Sequence, residues 1–220
     1  PTTGTTRKLP DFTQQEGTTT VPLNLDSYES VFVVFAEPVK AGKSPKVGSV
    51  TNYPSPALLT EISGPWNGSF DQKMRGPVNP VVMPRLQPWN EMPNDSVKYY
   101  SGTAVYTTGF DLVKLPANER ILLDLGKLSA MGKVYVNGQY AGGVWTTPYE
   151  LDITQWVKEG RNDLRVEVVN TWVNRLIGDS RLPASQRRTW TVVNPWRPDS
   201  PLQTSGLLGP VRVTAVAYEQ

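Results

Sequence analysis

The 220-residue sequence contains no histidine and no cysteine. Without histidine there can be no Ser-His-Asp triad, no Cys-His pair and no imidazole metal site. Catalysis would have to run on carboxylates, lysine, tyrosine or a borrowed cofactor. Without cysteine no disulfide holds the fold and no thiolate can attack a substrate or bind a metal. An excess of charge is missing too: 22 Lys and Arg against 20 Asp and Glu leave a formal net charge of +2. That is too little to hold a nucleic acid, and no stretch concentrates basic residues. No apolar run approaches the length of a membrane span. The chain starts Pro1-Thr2-Thr3-Gly4, with neither an initiator methionine nor an apolar signal region, so a processed product or a fragment is expected.

What is present reads as β throughout. Twenty prolines and 18 glycines punctuate short runs of valine, threonine and aromatics, the pattern of a sandwich or barrel. "TTTVPLNL" and "SVFVVF" predict two strands joined by a turn at residues 26–29, the second apolar on both faces and therefore buried on both. From Ala36 to Gly64 the chain reads as loop. From Pro65 to Pro93 it is proline-rich, with "VVM" as its one good strand. "GTAVYTTGF" alternates, with Ala104, Tyr106, Thr108 and Phe110 on one face, and "RILLDLG" predicts a buried strand stopping at Gly126. In "KVYVNGQYAG", Asn137-Gly138 supplies the two positive-φ positions of a type I′ hairpin. "YELDIT" places Leu151 and Ile153 together, and Thr154 is expected to cap a helical turn over "QWVKEG". "DLRVEVVN" alternates with Leu164, Val166 and Val168 inward. Nearly forty residues of loop are expected next, before a last strand in "PVRVTAVAY".

These signals predict an all-β jelly-roll sandwich over 64–220. Residues 1–63 form a small β extension or the remnant of an upstream domain, with too few strands to stand alone.

The order of "SGTAVYTTGFDL", "LDLGKL", "VYVNGQYAG", "PYELDIT", "GRNDLRVEVVN" and "GLLGPVRV" resembles the galactose-binding-like sandwich that serves family 2 glycoside hydrolases as their sugar-binding domain. "ISGPWNGSF", "VKYYSGTAVY", "NTWVNRLIGD" and "NPWRPDSPLQTSGLLGPV" are similar to the C-terminal region of α-L-rhamnosidases of glycoside hydrolase family 106. The resemblance covers the chain from about Thr18 onward. It implies a rhamnose-containing glycan as the carbohydrate partner and, as a second partner, an upstream catalytic barrel that carries the carboxylates with calcium assisting. It implies no catalytic residue on this chain.

Sugar sites combine an aromatic face with fixed polar groups, and seven tryptophans offer several candidates. Trp145 lies in a loop with Tyr149 nearby, where stacking on a sugar competes with lying over the hairpin as a lid. The lid is the favoured expectation. "NTWVNRLIGD" offers Trp172, Asn174, Arg175 and Asp179, with an arginine fork suited to vicinal hydroxyls or a carboxylate. The alternatives are an internal Arg175–Asp179 pair with Trp172 in the core, and a domain interface. "QRRTWTVVNPWRPDSPL" adds Arg188, Trp190 and Trp196, for an acidic glycan or, as is commoner in folded proteins, for mutual cation–π packing with Arg187 and Arg197. Glu150 and Asp152 share a strand face about 7 Å apart, close enough for an acid–base pair, but ordinary for a solvated strand. A structural calcium ion is an expectation for a jelly-roll sugar module, with no ligand to name.

The leading functional expectation is a non-catalytic accessory sandwich of a rhamnosidase-like enzyme. The rivals are a self-sufficient carbohydrate-binding module and a purely structural buttress. A bacterial periplasmic or extracellular setting accompanies all three.

Overall fold

Side chains on a strand point alternately to its two faces, so strands with one face in the core show a two-residue burial rhythm. That rhythm organises the computed structural model, which describes residues 4, 6–25, 29–36, 38 and 51–217. Contacts divide the chain into two units, Pro1–Ala57 with Pro116–Arg120 and Ala215–Gln220, and Leu58–Leu115 with Ile121–Thr214.

In the first unit, β1 (Thr13–Gln15) and β2 (Thr18–Thr20) form a hairpin. Its turn residues Glu16 and Gly17 have φ of 48° and 77°, as a type I′ turn requires. Asn52 is buried. Its amide donates to the carbonyls of Asp11 and Pro22 at 2.7 and 3.2 Å, and its Oδ1 accepts the Asp11 N–H at 2.8 Å.

The strand expected over "TTTVPLNL" is thus confined to its first three residues and pairs with β1. "SVFVVF" is no strand, and its side chains are exposed, Phe32 to 84%. The reason is that β-propensity measures fit to a pleated, half-covered surface, and among the described residues no strand pairs with this run. The expected turn and much of the loop beyond Ala36 lie outside the described residues.

The second unit follows the sequence pattern more closely. Its strands are β3 (Ala57–Glu61), β4 (Trp66–Phe70), β5 (Val81–Met83) and, after the single-turn α1 (Asp95–Lys98), β6 (Thr103–Leu112). Then come β7 (Arg120–Asp124), β8 (Lys127–Ser129), β9 (Met131–Val136), β10 (Gln139–Val144), β11 (Glu150–Asp152) and β12 (Gly160–Val169). The helix α2 (Val173–Ser180) precedes β13 (Gly206–Gly209) and β14 (Arg212–Val216). A six-stranded antiparallel sheet runs β10-β9-β12-β6-β4-β5, a four-stranded sheet runs β11-β7-β14-β3, and β13 pairs with β8. The result is an all-β sandwich whose first strand, β3, precedes Gly64.

Two long strands form the spine. β12 pairs with β6 from Gly160↔Leu112 to Val169↔Thr103, and its other edge pairs with β9. Leu164, Val166 and Val168 meet Val134, Val136, Ala104 and Tyr106 on the buried face, each large apolar side chain contributing about 1.5–3 kcal/mol. Asn137 and Gly138 take φ of 51° and 81°, as their type I′ turn requires.

Three expectations are corrected here. The proline-rich section contains β4, whose Trp66, Gly68 and Phe70 are buried. Thr154 caps no helix. Its hydroxyl accepts the Ile121 N–H at 2.8 Å and donates to Asp152 at 2.6 Å, so it is unavailable to the next turn of the chain. The long loop after β12 includes α2, an eight-residue helix.

An aromatic cluster fills the interior. Trp89 stacks on Tyr106 at 6.4 Å and 9° and meets Phe70 and Tyr100 edge-on at 5.4 and 5.6 Å. The Tyr106 hydroxyl accepts Trp89 Nε1–H at 2.5 Å and the Leu207 N–H at 3.3 Å, and burial pushes its pKa up to about 12.

Tyr106→Phe keeps the ring and leaves two buried donors unpaired. Urea unfolding is expected to show a loss of about 1–3 kcal/mol. Val113→Ala, at a 98% exposed position, is expected to change stability by less than about 0.5 kcal/mol. Equal stability of Tyr106→Phe and the wild type would refute the account of this bond.

Candidate functional site

Most of the residues singled out in the sequence follow β12. Asn170 fixes the exit: its amide donates to the Tyr100 carbonyl at 2.9 Å and its Oδ1 accepts the Gly102 N–H at 3.0 Å. Trp172 comes next, and α2 then turns Asn174, Arg175, Ile177, Gly178 and Asp179 inward. Gly178 is required by close approach, since a Cβ there would lie 2.7 Å from Cβ of Tyr99.

The structure places Asn174, Arg175 and Asp179 inside, where each is already engaged. Asn174 exchanges bonds with the backbone of Gln203 at 2.7 and 2.8 Å. Arg175 donates to the Met74 carbonyl at 2.8 Å. Asp179 Oδ2 accepts three bonds of 2.8 Å, from the N–H groups of Arg188 and Thr189 and from the Thr189 hydroxyl. Its Oδ1 makes no hydrogen bond and lies 3.8 Å from Arg175 and 4.0 Å from Arg75. These three residues therefore tie loops together. Sequence polarity could not reveal this, because most of their partners are backbone groups far along the chain. The available signal was the i,i+4 Arg–Asp spacing on a short amphipathic stretch.

The aromatic candidates face outward. Trp172 is 54%, Trp145 58% and Trp190 85% exposed, so Trp172 is not core and Trp145 keeps more than half of its surface in solvent. Trp196 and Tyr149 are half-buried, and the backbone of Arg188 is held by Asp179 while the residue stays exposed. Among the described residues no cation–π contact joins Arg187, Arg188 or Arg197 to Trp190 or Trp196. Trp145 and Tyr149 lie on the β10–β11 connection, and the other candidates lie between β12 and β13.

Glu150 and Asp152 are half-buried on β11, and Asp152 accepts both the N–H and the hydroxyl of Thr154. Among the described residues no three acidic side chains gather to hold a metal ion.

A second polar surface went unnoticed in the sequence. On the outward face of the six-stranded sheet lies a depression of about 410 Å³, lined by Asn67, Thr107, Gly109, Tyr135, Asp163 and Arg165 among others. Register builds it: Tyr135 and Thr107 flank Arg165 on the neighbouring strands, and Asn67 lies opposite Thr107. Outward positions on each strand were readable, but their alignment needs the pairing.

Burial alone raises the Asp179 carboxyl. The Thr189 and Arg188 amides, the Thr189 hydroxyl and the Arg175 charge outweigh it and hold the carboxyl below its usual value. Burial likewise lowers the Arg175 guanidinium, against the pull of Asp179. A depressed carboxyl stabilises the fold above its unfolded pKa of about 3.9, and that contribution is lost as pH falls through the folded value. Asp179→Asn is therefore expected to destabilise the chain by about 1–3 kcal/mol at neutral pH and to flatten its loss of stability below about pH 4. Thermal unfolding from pH 7 to pH 2 reads this directly. Parallel curves for variant and wild type would rule it out.

Residues 61–195 match the family described as the sugar binding domain of glycosyl hydrolases family 2. A Formosa agariphila protein named "Putative beta-glucuronidase" is 34% identical over 193 residues, covering 76% of this chain and 16% of that protein. The solved structure of a rhamnosidase from Novosphingobium sp. PP1Y is similar at 36% identity and a TM-score of 0.82, over 93% of this chain and 19% of that one. The chain thus spans less than a fifth of the length of either relative. It belongs to the family of glycosyl hydrolase family 2 sugar binding domains.

Proposed function

We propose that this chain is a non-catalytic accessory sandwich of an α-L-rhamnosidase-like glycoside hydrolase of family 106 type, acting on rhamnose-containing polysaccharide outside the bacterial cytoplasm. The observation that carries the reading is the likeness to the Novosphingobium rhamnosidase over 93% of this chain, at 36% identity and a TM-score of 0.82. The chemistry of the chain agrees with it. There is no histidine, and of the Glu150–Asp152 pair weighed for hydrolysis, Asp152 is engaged by Thr154.

The loop after α2 supports a role against the rest of such an enzyme. Trp172 just before α2 and Trp190, Val192 and Val193 beyond it are exposed, apolar side chains of the kind that mark contact with another domain. The same exposed tryptophans favour a second reading, a carbohydrate-binding module that works alone, with Trp172 and Trp190 as stacking platforms.

Two measurements separate these readings. The isolated chain is expected to release no phenol from an aryl α-L-rhamnoside, whereas the intact enzyme does, and hydrolysis by the isolated chain would overturn the accessory role. Trp190 is expected to be oxidised readily by N-bromosuccinimide in the isolated chain and protected in the intact enzyme. Equal oxidation, with L-rhamnose affinity lost in Trp190→Ala, would select the self-sufficient module instead.

A further inference from the structure

The outward face of the six-stranded sheet carries polar groups that the fold itself does not use. Tyr140 pairs with Tyr135, Tyr135 with Arg165, Arg165 with Thr107, and Thr107 with Asn67. These residues form one transverse row across the strands, each step about 4.8 Å, and the depression of about 410 Å³ lies along it. We propose that this row is a carbohydrate site, and that its ligand is an uncharged, hydroxyl-rich oligosaccharide laid across the strands.

The row has the two components a sugar site needs, an apolar face and fixed polar groups. Tyr140 is exposed, and its ring centre lies 5.3 Å from that of Tyr135, giving an aromatic end to the row. Arg165 is held in place twice: its guanidinium lies 3.7 Å from the Tyr135 ring centre and 2.9 Å from Glu167. A guanidinium has five N–H donors, so most remain for a ligand while its position is already fixed. Among the described residues the side chains of Asn67, Thr107 and Asp163 make no hydrogen bond within the protein. They are exposed and line the depression. Any antiparallel sheet with one solvated face shows polar residues outward. This face adds a concavity, a tyrosine pair and a restrained arginine.

The charges select the ligand. Arg165 is paired with Glu167, and Arg161 with Asp111 at 3.1 Å. Among the described residues the one unpaired charge lining the depression is the Asp163 carboxylate. It accepts hydroxyl protons from a neutral sugar and repels the carboxylate of a uronic acid.

The test is an ¹⁵N NMR titration of the 220-residue chain with neutral rhamno- and galacto-oligosaccharides and with oligogalacturonides of matched length. Neutral oligosaccharides are expected to shift the amides of Asn67, Thr107, Tyr135 and Arg165. The exposed-site variants Asn67→Ala and Thr107→Val, folded by their spectra, are each expected to weaken binding roughly five- to tenfold. Oligogalacturonides are expected to leave these amides unmoved. Shifts confined to the Trp172–Trp196 stretch, no shift with any neutral oligosaccharide, or equal binding of the acidic ones would each overturn the proposal. The accessory role rests on the likeness to the rhamnosidase and survives any of those results.

Discussion

The seating of Trp89 against Gly206 is the constraint on which the loop end of the sandwich depends. Gly206 has φ of +103°, and a Cβ there would come within 2.7 Å of the Trp89 indole. Backbone and ring therefore touch with nothing between them. The Trp89 N–H donates to the Ser205 carbonyl at 2.9 Å, and its indole N–H donates to Tyr106 on β6. A single side chain thus joins a proline-rich connection, the spine of the six-stranded sheet and the return of the chain into β13. With Ser205 and Gly206 fixed there and Asn170 fixed at the exit of β12, both ends of the long connection are set. Between them the Asp179 carboxylate holds the backbone of Arg188 and Thr189. The stretch from Trp190 to Asp199 then lies mostly at the surface.

Burying Asp179 and Arg175 is costly, and such groups give little net stability compared with an apolar replacement. Their use here is positional. A carboxylate that accepts three bonds from Arg188 and Thr189 selects one path for a loop that has no strand or helix to guide it there. The cost falls on acid stability, since protonation of that carboxylate removes its preference for the folded state.

The sandwich was legible in the sequence wherever alternation and turn chemistry agreed. Strand β6 was readable because Ala104, Tyr106 and Phe110 share one face. The β9–β10 hairpin was readable because Asn137-Gly138 can take left-handed backbone cheaply. The pattern misled at "SVFVVF", where apolar composition promised a buried strand and the described residues provide no partner for one. In "NTWVNRLIGD" the polar residues allowed both a ligand site and an internal Arg175–Asp179 pair, and the structure has that pair, with Asn174, Arg175 and Asp179 buried. Trp66 and Trp89 were hidden by the prolines around them, because proline density signals the irregularity of a connection and says nothing about what its aromatics bury. The outward row from Tyr140 to Asn67 depends on register between strands far apart in sequence. Only the Tyr140–Tyr135 pairing, set by the short hairpin, was within reach of sequence reasoning.

The two outward-facing surfaces sit at different places along β12. Asp163 and Arg165 lie in the middle of the strand, whereas Trp172 comes after the exit at Asn170. At about 3.3 Å per residue, roughly 17 Å of extended chain separates Arg165 from that exit. One surface is apolar and lies at the loop end. The other is polar and lies on the flank of the sheet. An apolar surface gains by being removed from water against another domain, whereas Asn67, Thr107 and Asp163 would lose their solvation in such a contact unless every one found a partner. Coverage by another domain is therefore favourable at the loop end and unfavourable on the sheet flank. The same sandwich can be docked through its tryptophans while its sheet face stays open to a glycan.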